Sequence, residues 1–319
     1  MQSTIIKTKR QTTSNIMMVR PANFGYNPQT AVSNAFQDND TSLSEAKISD
    51  LAIEEFDQFV AKLRAAGINV IVAQDGGEPK KPDAVFCNNW VSFHTNGTMI
   101  LYPMLTPNRR LERQENVIET ITNQFEIIRR MDLAHHENEN RILEGTGSMI
   151  LDHLNRTVYA CLSPRTDAGL LDEFCEWAGY ERVVFSSVDR NGQEVYHTNV
   201  MMAMGDKFVV ISMATIPDEA ERTMLYERFE QTNKEVIDLT IEQIESFAGN
   251  MLQVENTDGK TFLVMSEQAF KSLRKDQIEI IEKHTTILYA PIYTIEKLGG
   301  GSARCMMAEV FLPKKDLVV

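Results

Sequence analysis

Apolar residues along the chain follow two patterns, one with helical spacing and one that alternates as in β-strands. Five stretches carry apolar residues at helical spacing after polar start signals. The predicted helices are residues 49–67, 109–125, 166–179, 217–232 and 266–284. The runs between them pair around Gly, Asn or Asp, which is typical of β-hairpins. The predicted hairpins are residues 91–102, 149–160, 200–212 and 251–265, and a last strand at 306–311 has no partner after it.

A polar residue stands just before each hairpin and before the last strand. These residues are Asn89, Glu144, His197, Asn250 and Cys305, and they are 55, 53, 53 and 55 residues apart. Such a regular period indicates repeated supersecondary units. Five units arranged in a ring would bring the five polar side chains together near its axis.

The same period predicts an α/β fold, a five-bladed α/β propeller built from five strand–hairpin–helix modules. Its last strand lacks a partner, which the N-terminal run SNIMMVRP at residues 14–21 would supply. Pairing the two chain ends closes the ring and removes exposed sheet edges. We expect residues 1–14 to be a flexible tail and residues 15–319 to form a single domain that carries the site.

Composition narrows the classes of partner. The 319 residues carry a formal net charge of −13, which argues against a nucleic-acid partner because phosphate binding needs a basic face. No run approaches the roughly 20 apolar residues of a membrane span, and the N-terminus lacks the apolar segment of a signal peptide. The four cysteines show no CxxC pair. We expect a cytoplasmic protein without membrane partners, and a homo-oligomer is left open.

Cysteine, histidine and glutamate on three modules could supply a nucleophile, a proton shuttle and an orienting carboxylate. Cys305 follows the run Gly299–Gly301, which lets the backbone turn tightly and approach a ligand closely. No Lys-Ser/Thr pair follows these glycines, so a phosphate loop is not indicated. The stretch HHENEN lacks the second histidine of a HExxH zinc site. The sequence therefore predicts chemistry with no metal and no cofactor.

Several stretches resemble the guanidino-group-modifying superfamily of amidinotransferases, arginine deiminases and dimethylarginine dimethylaminohydrolases, which share the pentein fold. LEGTGS is similar to the Glu-Gly-Gly-Asp stretch of these enzymes, YHTN to the His-x-Asp stretch, and GGGSARCM to the approach to the nucleophile. The resemblance runs from MMVRP to GGGSARCMM and is closest to citrulline hydrolase-type members. It implies the five-bladed propeller, with Cys305 as the nucleophile, His197 as the general acid/base and Glu144 as its carboxylate partner.

Two arginines also match the family. PNRRLER and SPRTDAG resemble its carboxylate-binding stretches, which implies that Arg109 and Arg165 bind the carboxylate of an amino-acid substrate. Arginine suits this role because its planar fork forms bidentate pairs with carboxylates. The alternative is that both are surface arginines near helix starts. Arg20 in MVRP is a less specific match.

The chain departs from the family where most deiminases carry carboxylates. PDAVFCNNW, predicted to be a strand, ends on Asn88 and Asn89, and Asn199 stands at a second acidic position. A guanidinium offers only donors, whereas a neutral ureido group also presents a carbonyl acceptor, and asparagine can both donate and accept. Asn89 and Asn199 thus predict a ureido substrate, or a guanidino substrate carried past the ureido stage.

The most specific hypothesis is hydrolysis of citrulline to ornithine, ammonia and CO2 through a covalent cysteine intermediate. Arginine dihydrolase or deiminase activity and amidino transfer remain open as alternatives. A non-catalytic binding protein on the same fold is a third alternative, although such a protein would not need Cys305, His197 and Glu144 at matched positions. The sequence assigns no role to Asn88 or Asn250.

Overall fold

A computed structural model describes residues 10–39 and 42–315. Its strands are β1 (Asn15–Arg20), β2 (Asn69–Gln74), β3 (Val91–Phe93), β4 (Thr98–Leu101), β5 (Arg129–Asp132), β6 (Ile150–Asp152), β7 (Thr157–Cys161), β8 (Glu181–Phe185), β9 (Met202–Met204), β10 (Phe208–Ile211), β11 (Glu235–Asp238), β12 (Leu252–Glu255), β13 (Thr261–Ser266), β14 (Thr286–Ala290) and β15 (Ala308–Glu309).

The α-helices are α1 (Pro28–Ala31), α2 (Glu45–Ala65), α3 (Pro107–Arg110), α4 (Glu115–Thr122), α5 (Gly145–Ser148), α6 (Ala168–Ala178), α7 (Thr198–Met201), α8 (Glu219–Gln231), α9 (Ile241–Glu245), α10 (Glu267–Ser272), α11 (Lys275–His284) and α12 (Tyr293–Gly299). Short 3₁₀ helices cover Cys87–Asn89, Ala134–Glu139, Met213–Thr215 and Ala303–Met306. Two of these 3₁₀ helices carry predicted site residues.

The strands form five sheets of three strands each, with the orders β15–β1–β2, β3–β4–β5, β6–β7–β8, β9–β10–β11 and β12–β13–β14. In each sheet the first two strands are antiparallel and the last two are parallel. A parallel pair needs a long crossover connection, and helices such as α2, α6 and α8 provide it. The mixed α/β class and all four predicted hairpins are confirmed.

The sheet β15–β1–β2 joins the two ends of the chain. Ile16 pairs with Glu309 and Met17 with Ala308 in antiparallel register. This pairing confirms that the run at residues 14–21 supplies the partner of the last strand. Because that strand follows Cys305 directly, the pairing also anchors the segment that carries the predicted nucleophile.

Helix α2 illustrates how the sequence covers these sheets. The Ser44 side chain accepts a hydrogen bond from the Lys47 amide and starts the helix. Its buried residues recur at helical spacing and form one apolar face: Ile48, Ala52, Phe56, Phe59, Val60 and Leu63. This face packs with residues of β1, β13 and β14 in one hydrophobic cluster.

Three local predictions need correction. Residues 82–90 are not a strand, because backbone turns such as Phe86 N to Asp83 O lead directly into the 3₁₀ helix Cys87–Asn89. The helix predicted at 109–125 is interrupted between α3 and α4. The helix at 266–284 breaks at Leu273, whose backbone is extended, and restarts as α11.

The predicted tail at residues 1–14 is also partly wrong. Residues 1–9 lie outside the described residues, but Gln11, Thr12 and Thr13 are buried. The Gln11 side chain donates to Leu151 O over 2.8 Å, so this segment belongs to the fold. In the described part of the chain, no helix is long and apolar enough to cross a membrane.

Candidate active site

The five residues of the repeat occupy equivalent places, each just before the first strand of its sheet. Asn89 and Cys305 lie in 3₁₀ helices, Glu144 and His197 immediately precede α5 and α7, and Asn250 lies just before β12. None is more than 4% exposed. Their side chains are directed into the protein, where Glu144 contacts His197 and Asn250 contacts Cys305.

Glu144 and His197 form the closest pair, with 2.8 Å between Glu144 Oε2 and His197 Nε2. Burial would raise the pKa of Glu144, but Arg165, His197 and Arg109 outweigh it and lower this pKa below its ordinary value. Burial lowers the pKa of His197 to about 4, although Glu144 opposes the shift. At neutral pH His197 is therefore uncharged. Its Nε2–H donates to Glu144, which leaves Nδ1 as a free base.

Gly147 allows Asn89 and His197 to approach each other. A Cβ at this position would lie 2.4 Å from Asn89 Nδ2 and 2.8 Å from His197 Nδ1. Any side chain here would push the amide and the imidazole apart. Steric crowding therefore explains why the second glycine of LEGTGS is a glycine.

Amide groups surround the sulfur of Cys305. The Nδ2 atoms of Asn199 and Asn250 lie 3.4 Å and 3.2 Å from Cys305 Sγ. The Cys305 amide donates to Ser302 O over 2.9 Å and faces Asn250 Oδ1 at 3.4 Å. Asn199 Oδ1 is buried and has no hydrogen-bond partner, so it remains open to a donor from a ligand.

The amide of Asn89 has a fixed orientation. Arg109 Nη1 donates to Asn89 Oδ1 over 2.8 Å, and only an oxygen can face a guanidinium, which carries donors alone. Asn89 Nδ2 donates one hydrogen to Asn88 Oδ1 over 3.0 Å. Asn88 is held in turn by Thr146 Oγ1 at 3.1 Å. The second hydrogen of Asn89 Nδ2 is therefore the one that faces Gly147 and His197.

Arg109 itself is largely saturated by protein groups. Its Nε and Nη2 donate to the two oxygens of Glu112 at 2.9 Å, and Nη2 also reaches Phe86 O. Burial raises the pKa of Glu112 to about 7 in spite of this pairing. Glu112 was missed by sequence reasoning, although its position three residues after Arg109 on a helix start was a usable signal.

Arg165 has a less saturated guanidinium. Nη2 donates to Ser33 Oγ over 2.7 Å, Nη1 lies 3.4 Å from Glu144 Oε2, and the buried Nε has no partner. The guanidinium carbon sits 4.9 Å from the centre of the Tyr196 ring. By contrast Arg20 pairs with Asp57 at the partly exposed end of β1 and takes no part in the site.

Asp83 is a further buried acid that sequence reasoning missed. Its Oδ2 accepts from Asn27 Nδ2 over 2.7 Å and Thr30 Oγ1 over 3.0 Å, whereas Oδ1 has no partner. Burial raises the pKa of Asp83 above its ordinary value, although Arg109 opposes the shift. It was the single carboxylate within PDAVFCNNW, which is the signal that could have found it.

Several of these side chains line a narrow cavity. Its wall is formed by Thr30, Asn34, Asp83, Phe86, Asn89, Arg109, Arg165, Tyr196, His197, Gly299, Gly300, Gly301 and Cys305. Asn34 also donates to the carbonyl of Gly300, so the segment around α1 is fastened to the glycine run. Within residues 10–39 and 42–315, no group of three or more His, Cys, Asp or Glu side chains is placed to hold a metal ion.

Residues 20–312 match the family model described as N,N dimethylarginine dimethylhydrolase, eukaryotic. The chain belongs to this family. The predicted superfamily is thereby confirmed, and so is the prediction that the protein is an enzyme of that superfamily. Comparison with curated protein sequences gives no match.

Solved structures of similar enzymes share the fold of this dimethylhydrolase family member. ArgZ, an arginine dihydrolase from Cyanobacteria, superimposes with a TM-score of 0.72 at 16% identity over 94% of the chain. The chain spans 41% of the full ArgZ chain and 98% of its N-terminal domain, which was solved covalently bound to a reaction intermediate. Dimethylarginine dimethylhydrolase (DDAH) from Pseudomonas aeruginosa, complexed with citrulline, gives a TM-score of 0.62 at 15% identity over 96% of this chain and 99% of its own.

All of the residues predicted for the site of this family member come together. Contacts pair Glu144 with His197 and Arg165, Asn89 with Arg109, and Cys305 with Asn199. Asn89, Arg109, Arg165, His197 and Cys305 line the same cavity. The arrangement offers a thiol, a neutral imidazole held by a carboxylate, and amide donors in one buried site. Such a set can carry out nucleophilic attack on a polarised carbon followed by proton transfer to a leaving nitrogen.

Proposed function

We propose that this enzyme hydrolyses citrulline to ornithine, ammonia and CO2, with Cys305 as the nucleophile. The orientation of Asn89 carries the proposal, because Arg109 fixes its oxygen and leaves an N–H for the ligand. A ureido oxygen accepts from such a donor, whereas a guanidinium would place donor against donor. Leaving a buried polar group unpaired costs about 1–3 kcal/mol, which is enough to set a substrate preference.

The chemistry follows from the protonation states. Neutral His197 takes the thiol proton of Cys305 at Nδ1 as sulfur attacks the ureido carbon, and then gives this proton to the departing ornithine nitrogen. The C–N bond breaks and leaves an S-carbamoyl cysteine. His197 next removes a proton from water, whose oxygen displaces the sulfur and releases carbamate, which decomposes to ammonia and CO2. Glu144 stabilises the transient imidazolium, and acid–base help of this kind contributes about 10²–10⁴-fold.

Charged residues that line the cavity would hold the amino-acid end of the substrate. The buried, unpartnered Nε of Arg165 suits the α-carboxylate. The unpartnered Oδ1 of Asp83 suits the α-ammonium group, whose positive charge would favour the ionised carboxylate. Arg109 adds positive charge near the α-carboxylate, while its hydrogen bonds hold Asn89 in place.

Arginine dihydrolase activity is the second candidate. Asn199 Oδ1 favours it, because this buried acceptor has no protein partner and could accept from a guanidinium. ArgZ, which shares the fold, is an arginine dihydrolase, and DDAH from Pseudomonas aeruginosa was crystallised with citrulline. In both candidate activities the sulfur attacks the equivalent carbon of the substrate. Assays with citrulline and with arginine therefore distinguish the two activities.

The proposed active site assumes that the five modules form a five-bladed propeller. Contacts between first strands of consecutive sheets support it, as between β15 and β3, β6 and β9, and β9 and β12. A cytoplasmic location stays a prediction.

The test is a product assay on the purified enzyme with citrulline and with arginine as separate substrates. We expect stoichiometric ornithine and ammonia from citrulline, with kcat/KM at least about tenfold above that for arginine, as the cost of an unpaired buried group predicts. Cys305→Ala is the inactive control. Turnover of arginine without turnover of citrulline would refute the ureido assignment.

A further inference from the structure

Asn250 is the one repeat residue to which neither the sequence nor the proposed mechanism gives a task. Its side chain is 1% exposed. Both its amide nitrogen and its amide oxygen have neighbours. Nδ2 donates to Asn199 O over 2.9 Å and points at Cys305 Sγ at 3.2 Å. Oδ1 faces the Cys305 amide at 3.4 Å. The side chain therefore touches both the sulfur and the backbone of the same cysteine.

Cys87 and Cys161 have backbone carbonyl oxygens beside the sulfur, and Cys161 Sγ also lies 3.5 Å from Thr198 Oγ1. Cys87 Sγ lies 3.6 Å from the carbonyl oxygens of Met17 and Met306, and Cys161 Sγ lies 3.6 Å from Val195 O. These carbonyls accept from a thiol and would repel a thiolate. Burial raises the pKa of Cys87 to about 12 and of Cys161 to about 11. Around Cys305 the neighbouring polar atoms are donors instead.

Donors that face a sulfur stabilise its negative charge. Asn199 and Asn250 lie before the first strands of two different sheets and approach the Cys305 sulfur together. A purely structural asparagine would need only its bond to Asn199 O, which joins the two segments. The second N–H, aimed at sulfur, and the oxygen, aimed at the Cys305 amide, point to a task at the nucleophile.

We propose that Asn250 is a catalytic residue that, together with Asn199, stabilises the negative charge that Cys305 gains as it loses its proton, by donating an amide N–H to its sulfur. The inference rests on the proposed function insofar as Cys305 is the nucleophile. It does not depend on which substrate is attacked. An aspartate at position 250 would keep the shape but replace both donors by a carboxylate beside the sulfur.

The test measures the thiolate directly, without substrate. The rate of alkylation of Cys305 by iodoacetamide is followed from pH 5 to pH 10 by peptide mass spectrometry. We expect the midpoint of the rate profile in Asn250→Asp to lie at least about one pH unit above that of the unmodified enzyme, because donors become a like charge. In parallel, kcat for citrulline should fall about 10²-fold or more, the typical loss of a preorganised donor, while KM changes little.

Asn256→Asp is the matched control, because it also removes a buried amide donor from the β12–β13 hairpin. Asn256 Nδ2 donates to Ala66 O and is bonded away from Cys305, so its alkylation profile should overlay that of the unmodified enzyme. Asn250→Ala removes the donor without adding a charge, and it replaces the aspartate variant if that variant does not fold. We expect a smaller upward shift for alanine in the same direction.

A midpoint that stays unchanged in a folded Asn250 variant would overturn the proposal. Alkylation that is slower by the same factor at every pH would also overturn it, because this result would mean that only the access of iodoacetamide to Cys305 had changed. Since alkylation needs no substrate, failure of citrulline turnover would refute the proposed function and leave this test intact. An unchanged profile with active citrulline turnover would refute only the role of Asn250.

Discussion

The site contains two sets of polar side chains with opposite properties, named here the charged wall and the amide wall. The charged wall consists of Asp83, Glu112, Glu144, Arg109 and Arg165, and the amide wall of Asn89, Asn199 and Asn250. The charged groups mostly pair with one another, as Arg109 does with both oxygens of Glu112. Two of the amides, those of Asn199 and Asn250, instead face the sulfur of Cys305. Ion pairs among the charged groups hold the site together, and the proposed function assigns the choice of substrate group to the neutral amides.

The largest expected effect comes from the charged wall at Glu144. Glu144→Gln keeps an oxygen for His197 but removes the negative charge that stabilises the imidazolium. We expect kcat for citrulline to fall by about 10²–10⁴-fold, measured by ornithine release at saturating substrate. Glu139→Gln, at a residue with an exposed side chain, should leave kcat unchanged. A loss below threefold in Glu144→Gln would mean that the charge of this wall is not used in catalysis.

Arg109 tests whether the charged wall holds the amide wall in place. Arg109→Met leaves Glu112 buried without its partner, and removing one member of a buried pair costs about 3–5 kcal/mol. We expect a loss of this size in the free energy of unfolding, measured by urea denaturation. Arg110→Met, at a partly exposed neighbour, should cost far less. Recovery of most of the loss in Arg109→Met/Glu112→Met would confirm the pairing, and an unchanged single variant would contradict it.

Asn89→Asp replaces one amide of the amide wall by a negatively charged carboxylate. The new carboxylate would accept from a guanidinium but oppose a ureido oxygen. We expect the ratio of kcat/KM for citrulline to that for arginine to fall by roughly tenfold or more, which corresponds to one unpaired buried group. Asn155→Asp, in the turn between β6 and β7, is the control. If the ratio stays constant, Asn89 does not select the substrate.

The smallest effect concerns pH. Because burial lowers the pKa of His197 to about 4, the imidazole is a free base across the mildly acidic range. We expect kcat/KM for citrulline at pH 5.5 to stay within about twofold of its value at pH 7, whereas an ordinary histidine would lose about tenfold. The free energy of unfolding should change with pH in the same direction. Because the His197 pKa is lower in the folded state than the ordinary value near 6.5, its contribution to stability is complete above pH 6.5 and is lost as the pH falls towards 4. A rate profile with its acid limb near pH 6.5 would contradict this.

The repeat spacing predicted more of the molecule than any single motif. Positions before each first strand recur at nearly equal separations, so Glu144, His197 and Cys305 could be placed together without knowledge of a single contact. The pairing of β1 with β15 followed from the same count, because the last module lacked one strand. Each module has a similar length, so the spacing of equivalent positions can be detected in the sequence alone.

Groups outside the repeat could not be found in this way. Asp83 lines the cavity from a turn, and Glu112, two residues after α3, contacts Arg109; no period marks either position. The orientation of Asn89 depends on Arg109, a contact between segments that only the folded chain brings together. Residues 82–90 were misread as a strand, because an apolar run buried in a turn has the same composition.

The most direct measurement follows the carbon that Cys305 is proposed to attack. The enzyme is mixed with citrulline labelled at the ureido carbon, quenched in acid within one turnover and analysed by peptide mass spectrometry. The account predicts a labelled carbamoyl group on the peptide that contains Cys305, and no label in Cys305→Ala. Turnover of citrulline without label on that cysteine, or label arising only from arginine labelled at its guanidino carbon, would contradict it.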